Sequence, residues 1–302
     1  MKLLLSGCTG FIGKELIKQL KAKNFSLIIL SRNPDKYSYL KDKNTTVSYW
    51  DGTSIDSILN PIEDTDAIIN LAGEPIVNKR WSKTQKELIL TSRIKPTQTI
   101  VKALSQANKK SKVLINASAV GYYGDTKSNN IDENYKKGVG FLSDICAKWE
   151  NEALKAQDYG IRVVILRTGI VLEKDGGALN KMLLPFNFFT GGPLGSGNQW
   201  FPWIHRDDVV NIILYSLNNN TSGPINVIAP NPVTMESFCK TLGRVLNRPS
   251  WLPVPDLALK LLLGEMSEMI LTGQKAFPKK LLNSNYKFIY PELEGALKTI
   301  LK

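Results

Sequence analysis

Short apolar runs alternate with helical patterns along the first two hundred residues of the chain. The runs that indicate buried strands are residues 2–6, 25–30, 47–50, 67–71, 113–117 and 163–166. They are rich in Leu, Ile and Val, and segments of helical period separate them. This alternation predicts an α/β fold in which a doubly wound parallel sheet carries helices on both faces.

The rhythm changes after about residue 175 to sequence rich in glycine and proline. Residues 191–197 read GGPLGSG and precede WFPWIHRDD at 200–208, which predicts a region that covers the substrate. Helical patterning returns at 257–263, whose leucines we expect to pack on the main domain; a membrane-surface helix is the alternative. We therefore predict a doubly wound α/β domain at 1–230 and a small helical C-terminal domain, on the substrate side, at 245–302.

A glycine-rich turn directly follows the first strand. Residues 7–13 read GCTGFIG, and a helical pattern begins immediately afterwards. In such a unit Gly7 permits the tight reversal, Gly10 lets a diphosphate approach the backbone, and Gly13 lets the helix pack closely on the sheet. A glycine turn between a strand and a helix predicts a dinucleotide-binding site.

The end of the second strand indicates which dinucleotide is bound. NAD-selective folds place an acidic residue here, whereas this chain has Ser31, Arg32 and Asn33. Arg32 lies 19 positions after Gly13, as expected for one βαβ unit, and its planar guanidinium can pair with a 2′-phosphate. These residues predict NADP(H) as the cofactor; the alternative is an ordinary surface arginine.

Further cofactor contacts are expected at the carboxyl ends of the strands, where doubly wound sheets bind their ligands. Asp51 could bond the adenine amino group, and Ala72 and Gly73 could let the backbone pass close to the cofactor, with turn chemistry as the alternative for each. The predicted cofactor-binding residues are Gly7, Thr9, Gly10, Phe11, Ile12, Gly13, Ser31, Arg32, Asp51, Leu71, Ala72, Gly73, Lys148, Thr168 and Gly169.

Composition and charge limit the classes of partner. The net charge of +12 would suit an acidic partner, but the lysines are scattered and the pairs Lys109–Lys110, Lys136–Lys137 and Lys279–Lys280 lie among polar or turn residues. We therefore expect no nucleic-acid partner. The three cysteines are widely separated, which predicts no metal site and reduced thiols in a cytoplasmic protein. The N-terminal apolar run is a strand, so neither a signal peptide nor a membrane partner is expected.

Several motifs give the chain a family resemblance. It resembles the extended short-chain dehydrogenase/reductase superfamily over about residues 1–230, through its glycine turn, NLAG at 70–73, YG at 123–124 and IHRDD at 204–208. It is more closely similar to an atypical branch of epimerase family proteins, through SAVGYYG at 118–124, CAKWE at 146–150, LRTG at 166–169 and GQKAFPKKL at 273–281. The resemblance implies an NADP-binding Rossmann fold, without an established substrate and with a loose cell-division association for some members.

The catalytic pattern that the resemblance implies is incomplete. Members of the superfamily use a Ser or Thr after the fifth strand and a Tyr-x-x-x-Lys pair on the next helix. Here Lys148 occupies the lysine position, Asp144 stands in the tyrosine position, and Ser118 is displaced by one residue. We predict that Ser118 polarises the substrate oxygen, that Lys148 reaches the cofactor ribose, and that Tyr123 donates the proton from a pKa lowered by Lys148. The alternative for Tyr123 is a packing role.

The segment around the single histidine suggests structure more than chemistry. His205 is expected to lie in a structural turn, with Asp207 and Asp208 capping a helix that starts near Val209. Nucleotide-sugar enzymes place a diphosphate-binding arginine four positions before this histidine, where the present chain has Phe201. Recognition of a nucleotide sugar is therefore not expected.

The aromatic residues of this region suggest the kind of substrate. Phe186, Trp200, Phe201 and Trp203, if they line the pocket, suit a flat ligand of low charge. The leading interpretation is an NADP(H)-dependent oxidoreductase acting on a small, mainly apolar carbonyl or alcohol. The alternatives are a catalytically inactive NADPH-binding regulatory or assembly factor and, less favoured, a nucleotide-sugar epimerase.

Overall fold

The strands of the structure follow the apolar runs of the sequence. The computed structural model describes residues 1–77, 79–109 and 111–302, so that Lys110, one of the paired lysines above, lies outside the described residues. The strands are β1 Lys2–Ser6, β2 Ser26–Ser31, β3 Thr45–Tyr49, β4 Ala67–Asn70, β5 Val113–Ala119, β6 Asn130–Ile131, β7 Arg162–Thr168, β8 Ile170–Glu173, β9 Trp200–Phe201, β10 Trp203–His205, β11 Gly223–Val227, β12 Val233–Thr234 and β13 Lys275–Ala276.

Helices occupy the segments between these strands. They are α1 Phe11–Ala22, α2 Asp56–Glu63, α3 Lys83–Gln106, α4 Phe141–Leu154, α5 Gly177–Asn187, α6 Arg206–Asn218, α7 Met235–Leu246, α8 Asp256–Leu263, α9 Glu268–Leu271, α10 Lys279–Asn283 and α11 Leu293–Leu301. Short 3₁₀ helices cover Asp35–Leu40, Val120–Tyr123, Lys155–Tyr159 and Gly264–Ser267.

Seven of the strands form one parallel sheet with the order β11-β7-β5-β4-β1-β2-β3. The strand order runs in opposite directions from β1, which makes the carboxyl ends of β1 and β4 the switch point where such sheets bind ligands. The predicted doubly wound α/β fold is confirmed. The edge strand β11 was not among the predicted strands, because residues 223–227 contain Gly, Pro and Asn.

Successive residues of β1 show how the sheet is covered on both faces. Leu3 and Leu5 are buried in the same cluster as residues of α1 and α6, whereas Leu4 is buried in the cluster formed with α2 and α3. Side chains of a strand alternate between the two faces of its sheet. A continuous apolar run is therefore what a strand with helices on both sides requires.

The C-terminal residues pack on the rest of the chain at several separate places. Strand β13 pairs with β6, Leu297 of α11 lies in the same cluster as Leu242 of α7, and Met266 is buried with Trp81. At each of these places the C-terminal residues contact residues from before position 245. The bounds 1–230 and 245–302 remain a prediction.

Helix α8 corrects one expectation about packing. Only Leu259 of this helix is buried, whereas Leu257, Leu261 and Leu262 are 69%, 73% and 70% exposed. These three leucines therefore do not pack on the main domain as predicted. No helix in the described part of the chain is long and apolar enough to cross a membrane.

The segment around His205 confirms a structural role but corrects the helix start. Helix α6 begins at Arg206, and the Nδ1 atom of His205 accepts a hydrogen bond of 3.0 Å from the backbone N–H of Asp207. The imidazole stacks on Tyr290 at 3.8 Å between ring centroids, and burial lowers its pKa. The N-cap is thus His205 itself, and the two aspartates lie in the first helical turn.

The carboxylate of Asp208 fixes the C-terminal segment to α6. It is fully buried and accepts hydrogen bonds from the backbone N–H groups of Ile289 at 2.8 Å and Tyr290 at 2.9 Å. Asp208→Ala removes the acceptor of two partly buried backbone donors, so we expect the free energy of unfolding in urea to fall by about 2–4 kcal/mol. The exposed Asp158→Ala is the control. An equal midpoint for both variants would contradict this role.

Candidate cofactor and active site

The glycine turn has the geometry that a diphosphate needs. Gly7 has a φ of +68°, and a Cβ atom there would lie 2.4 Å from the backbone nitrogen of Ala72. A Cβ atom at Gly13 would lie 2.1 Å from the carbonyl oxygen of Cys8. Gly10 differs, because the nearest atom to a Cβ there is 3.7 Å away. Close packing thus fixes two glycines, while the third leaves space above the turn.

The N-terminus of α1 faces that space with unused backbone donors. Lys14 donates the first backbone bond of the helix, to Gly10 at 3.0 Å. The N–H groups before it have no helical acceptor, no side chain caps the helix, and its first turn has no acidic residue. Such an N-terminus attracts anions. The residues present therefore fit a dinucleotide diphosphate.

The side chains of the turn serve to position its backbone. Ile12 packs against the core, and the ring of Phe11 lies next to Gly176 and Gly177 and 5.3 Å from the guanidinium of Arg206. Thr9 is half-buried. For the contacts predicted at Phe11 and Ile12, the backbone N–H groups are the available donors.

Arg32 lies exposed at the end of β2, on one side of the turn. It has no carboxylate partner within 4.0 Å in the described residues. The hydroxyl of Ser31 accepts a bond of 3.1 Å from the backbone N–H of Asn33, which shapes the loop. An exposed, unpaired guanidinium at this strand end fits the predicted 2′-phosphate contact.

Asp51 forms a turn after β3. Its Oδ1 atom accepts backbone N–H bonds from Thr53 at 2.7 Å and Ser54 at 2.8 Å, and these two bonds lower its pKa. This geometry is the turn chemistry that the sequence offered as the alternative. The carboxylate is nevertheless exposed at the edge of the sheet that holds the glycine turn.

The chain after β4 passes directly beside the glycine turn. The backbone N–H of Leu71 donates to Ser6 at 2.8 Å, and that of Ala72 donates to the side chain of Asn70 at 3.2 Å. Ala72 is the residue that leaves no room for a Cβ at Gly7. The structure thus brings the predicted residues of β1 and β4 together.

Thr168 and Gly169 lie two strands further along, after β7. The N–H of Gly169 donates to Val227 at 3.1 Å, and a Cβ atom there would lie 2.2 Å from the carbonyl oxygen of Pro202. Thr168 is half-buried, and its hydroxyl donates to the carbonyl of Leu166 at 3.3 Å. Both residues lie at the carboxyl edge of the sheet. Close packing against Pro202 requires a glycine at position 169.

Ser118 is part of a buried ion-pair network. Its hydroxyl donates to the Oε1 atom of Glu150 at 2.6 Å, and Glu150 binds the guanidinium of Arg167 through bonds of 2.9 and 2.8 Å. Each of the three residues is at most 5% exposed. The prediction that Ser118 polarises a substrate oxygen is wrong in this arrangement, because its proton is already donated to a buried carboxylate.

Tyr123 belongs to the same network and points into the core. It is 1% exposed, its hydroxyl donates to Asn226 at 2.7 Å, and it accepts a bond from Arg167 at 2.9 Å. Burial raises its pKa to about 12, although the charge of Arg167 opposes the shift. The predicted proton donor with a lowered pKa is therefore wrong, and the structure gives Tyr123 the alternative packing role.

Lys148 lies on the outward face of α4. The buried face of this helix carries Ile145, Cys146, Trp149 and Glu150, and Lys148 is exposed. It borders a cavity of about 330 Å³ between α3 and α4, together with Thr91, Lys95 and Asn151. The prediction that Lys148 reaches the cofactor ribose is wrong, because the helical phase turns it away from the strand ends. Asp144 shares this exposed face.

The aromatic residues expected in a substrate pocket lie mostly in the core. Phe186, Phe201 and Trp203 are at most 4% exposed and belong to one buried cluster with α7 and α11. Phe201 packs on Phe238 with 4.3 Å between ring centroids. Only Trp200 is half-buried, with the ammonium of Lys275 at 4.5 Å from its ring. Phe186, Phe201 and Trp203 are therefore core residues, and the prediction that they line a substrate pocket is wrong.

One charged residue at this edge was missed from the sequence. Arg93 of α3 reaches the end of β4, where its guanidinium carbon lies 3.1 Å from the position of a Cβ on Gly73. Its helical spacing to the buried residues Ile89, Thr97 and Ile100 is the signal that could have identified it. A basic side chain on this inward face is unusual and therefore informative.

These features define a dinucleotide-binding protein of the Rossmann type. The model of the NAD dependent epimerase/dehydratase family matches residues 3–229, and that of a domain of unknown function, DUF1731, matches residues 254–300. The chain belongs to the NAD dependent epimerase/dehydratase family, and the resemblance inferred from its motifs is confirmed.

Individual relatives agree with this assignment. The epimerase family protein SDR39U1 homolog, chloroplastic, of Arabidopsis thaliana is 43% identical over 312 residues, covering 100% of this chain and 87% of the relative. The crystal structure of human epimerase family protein SDR39U1 (isoform2) with NADPH has a TM-score of 0.89 at 35% identity, with 99% of each chain covered. The crystal structure of the nucleoside-diphosphate sugar epimerase from Corynebacterium glutamicum has a TM-score of 0.79 at 28% sequence identity. The match covers 100% of this chain and 58% of that one.

The role of Tyr123 can be tested through stability. Tyr123→Phe removes a hydroxyl that bonds two buried groups, so we expect the free energy of unfolding to fall by about 1–3 kcal/mol. The neighbouring Tyr122→Phe is the matched control, since no hydrogen bond of its hydroxyl is seen in the described residues. Urea denaturation measures both. Equal stability of the two variants would argue against the network.

Proposed function

We propose that this protein is an NADP(H)-dependent oxidoreductase that acts on a small carbonyl compound or alcohol. The observation that carries the proposal is the glycine turn with open space at Gly10 and an uncapped helix N-terminus, flanked at the end of β2 by Arg32. The relationship to human SDR39U1, crystallised with NADPH, supports the same cofactor.

The residues that hold NADP(H) are those around the turn. The backbone from Gly10 to Gly13 would bind the diphosphate, Arg32 would pair with the 2′-phosphate, and Ala72 and Gly73 would lie near the half that carries nicotinamide. When bound, NADPH supplies a hydride to a carbonyl carbon. Because Ser118, Tyr123 and Lys148 are engaged elsewhere or turned away, the proton that completes the alcohol comes from water.

A second candidate function is NADPH binding without turnover, as in a regulatory or assembly factor. The placement of the same three residues favours it, since Ser118 and Tyr123 are engaged in the buried network and Lys148 faces away from the cofactor edge. Spectroscopic measurement of NADPH oxidation with a panel of aldehydes and ketones separates the two candidates. Turnover above the rate without protein supports the oxidoreductase, and NADPH binding with no turnover supports the second candidate.

Cofactor selectivity follows from Arg32. Losing charge-assisted bonds to a phosphate costs about 1.5–3 kcal/mol, so Arg32→Ala is expected to weaken NADPH binding by about 10- to 150-fold and to leave NADH binding nearly unchanged. Calorimetry measures both cofactors. Lys36→Ala, which removes one positive charge from the 3₁₀ helix that follows β2, is the control. Equal affinity of the unmodified protein for NADPH and NADH would refute the assignment.

Nucleotide sugars are not expected to bind well. Phe201 stands where a diphosphate-binding arginine is expected, and it is buried against Phe238. UDP-, GDP- and dTDP-sugars should therefore bind no better than millimolar to the NADPH complex. A ligand at 100 times its Kd stabilises a protein by about 2.7 kcal/mol, which a thermal shift detects. A clear shift with any one of these sugars would favour the nucleotide-sugar epimerase interpretation.

A further inference from the structure

Arg93 is held at the cofactor edge with much of its hydrogen-bonding capacity unused. Its Nη1 atom donates to the carbonyl of Ile89 at 2.9 Å, and its Nη2 atom donates to the carbonyl of Glu74 at 3.0 Å. The guanidinium also lies 5.3 Å from the ring of Trp149. A guanidinium has five N–H donors in a rigid plane, so these two bonds fix its orientation without saturating it.

Arg93 differs from the other arginines that are largely buried at this edge. Arg167 is bound by Glu150, and Arg206 lies 3.2 Å from Glu173 and 2.6 Å from Asp175. Arg93 has no carboxylate within 4.0 Å among the described residues. Burial lowers the pKa of Arg93, and the charge of Glu74 opposes this shift only in part. A desolvated cation without a counter-ion is costly, which indicates that an anion completes the site.

The position of Arg93 identifies which ligand can supply this anion. In the sheet, β1 lies between β2 and β4, so Arg32 and Arg93 lie on opposite sides of the glycine turn. In the proposed function the glycine turn would bind the diphosphate and Arg32 would bind the 2′-phosphate. Arg93 is beside the exposed Gly73, at the end of β4 and on the side of the nicotinamide half.

We propose that Arg93 binds the carboxylate of the second ligand, a small carbonyl compound that carries an acidic group. This inference rests on the proposed function and narrows its substrate class. The planar guanidinium matches a carboxylate through two parallel bonds, while Gly73 lets it lie close to the strand end. The aromatic residues that suggested an apolar substrate are buried elsewhere and do not oppose it.

The test uses oxamate, a small carboxylate that NADPH does not reduce. Calorimetry of oxamate with the protein–NADPH complex is expected to show binding in the unmodified protein and about 10- to 150-fold weaker binding in Arg93→Gln. Arg93→Lys keeps the charge but loses the planar pair of donors, so it should fall between the two. The neutral methyl ester of oxamate is expected to bind the unmodified protein no better than it binds Arg93→Gln.

The matched control is Arg162→Gln. Arg162 also donates to carbonyl groups, of Ser216 at 3.0 Å and Thr221 at 2.7 Å, but it lies at the amino end of β7. Oxamate binding should be unchanged in this variant. Thermal melts of each variant identify any that fail to fold, in which case Arg93→Lys carries the test.

Four results would overturn the inference. They are no oxamate binding to an unmodified complex that does bind NADPH, equal oxamate affinity in Arg93→Gln, tighter binding of inorganic phosphate than of oxamate, and a loss of NADPH affinity in Arg93→Gln as large as the loss for oxamate. Failure of the proposed function looks different, because the unmodified protein would then bind NADPH without oxidising it in the presence of any aldehyde or ketone, or would not bind NADPH at all. If NADPH does not bind, oxamate titrated into the protein alone still tests Arg93.

Discussion

The buried ion pair between Glu150 and Arg167 determines what the carboxyl edge of this sheet can do. Its two members come from α4 and β7 and are joined by two hydrogen bonds. Charges removed from water are tolerated only when their remaining donors and acceptors are also satisfied. The hydroxyls of Ser118 and Tyr123 complete this requirement. Two side chains suited to proton chemistry are therefore committed to stability.

The same network holds the C-terminal segment in place. Arg167 donates to the carbonyl of Glu133 at 3.1 Å, and the Glu133 carboxylate accepts backbone N–H bonds from Asn226 at 3.1 Å and Lys280 at 3.3 Å. The side chain of Asn226 in turn donates to Phe277 at 2.9 Å. Any reaction that took the Tyr123 proton would disturb these contacts as well. A site for turnover must use groups outside the network.

The sequence predicted the parts of the site that depend on local geometry. A strand, three spaced glycines and a helix follow one another within 22 residues, and the position of Arg32 at the next strand end follows from the same unit. The chemistry was harder to predict because it depends on distant partners. Tyr123 and Asn226 are 103 residues apart, and no local pattern shows that a 3₁₀ turn directs this tyrosine inward.

The error at Lys148 has a different origin, because helical phase could have revealed it. Ile145, Cys146 and Trp149 recur at the spacing of one buried helix face, and Lys148 falls on the opposite face. The spacing from the fifth strand predicted the lysine position of the superfamily but took no account of which helix face Lys148 occupies. The same periodicity, applied to α3, places Arg93 on the inward face.

The division between backbone and side chains explains why cofactor binding and catalysis are separable in this fold. At the turn, Gly7 and Gly13 are required because any side chain would collide with Ala72 or Cys8, so the backbone alone supplies the anion-binding donors. Ligand selectivity then falls to side chains at the neighbouring strand ends. Arg32 after β2 and Arg93 beside Gly73 place positive charge on both sides of the glycine turn. Because neither belongs to the buried network, changes in ligand preference at this edge need not disturb the interactions that hold the fold together.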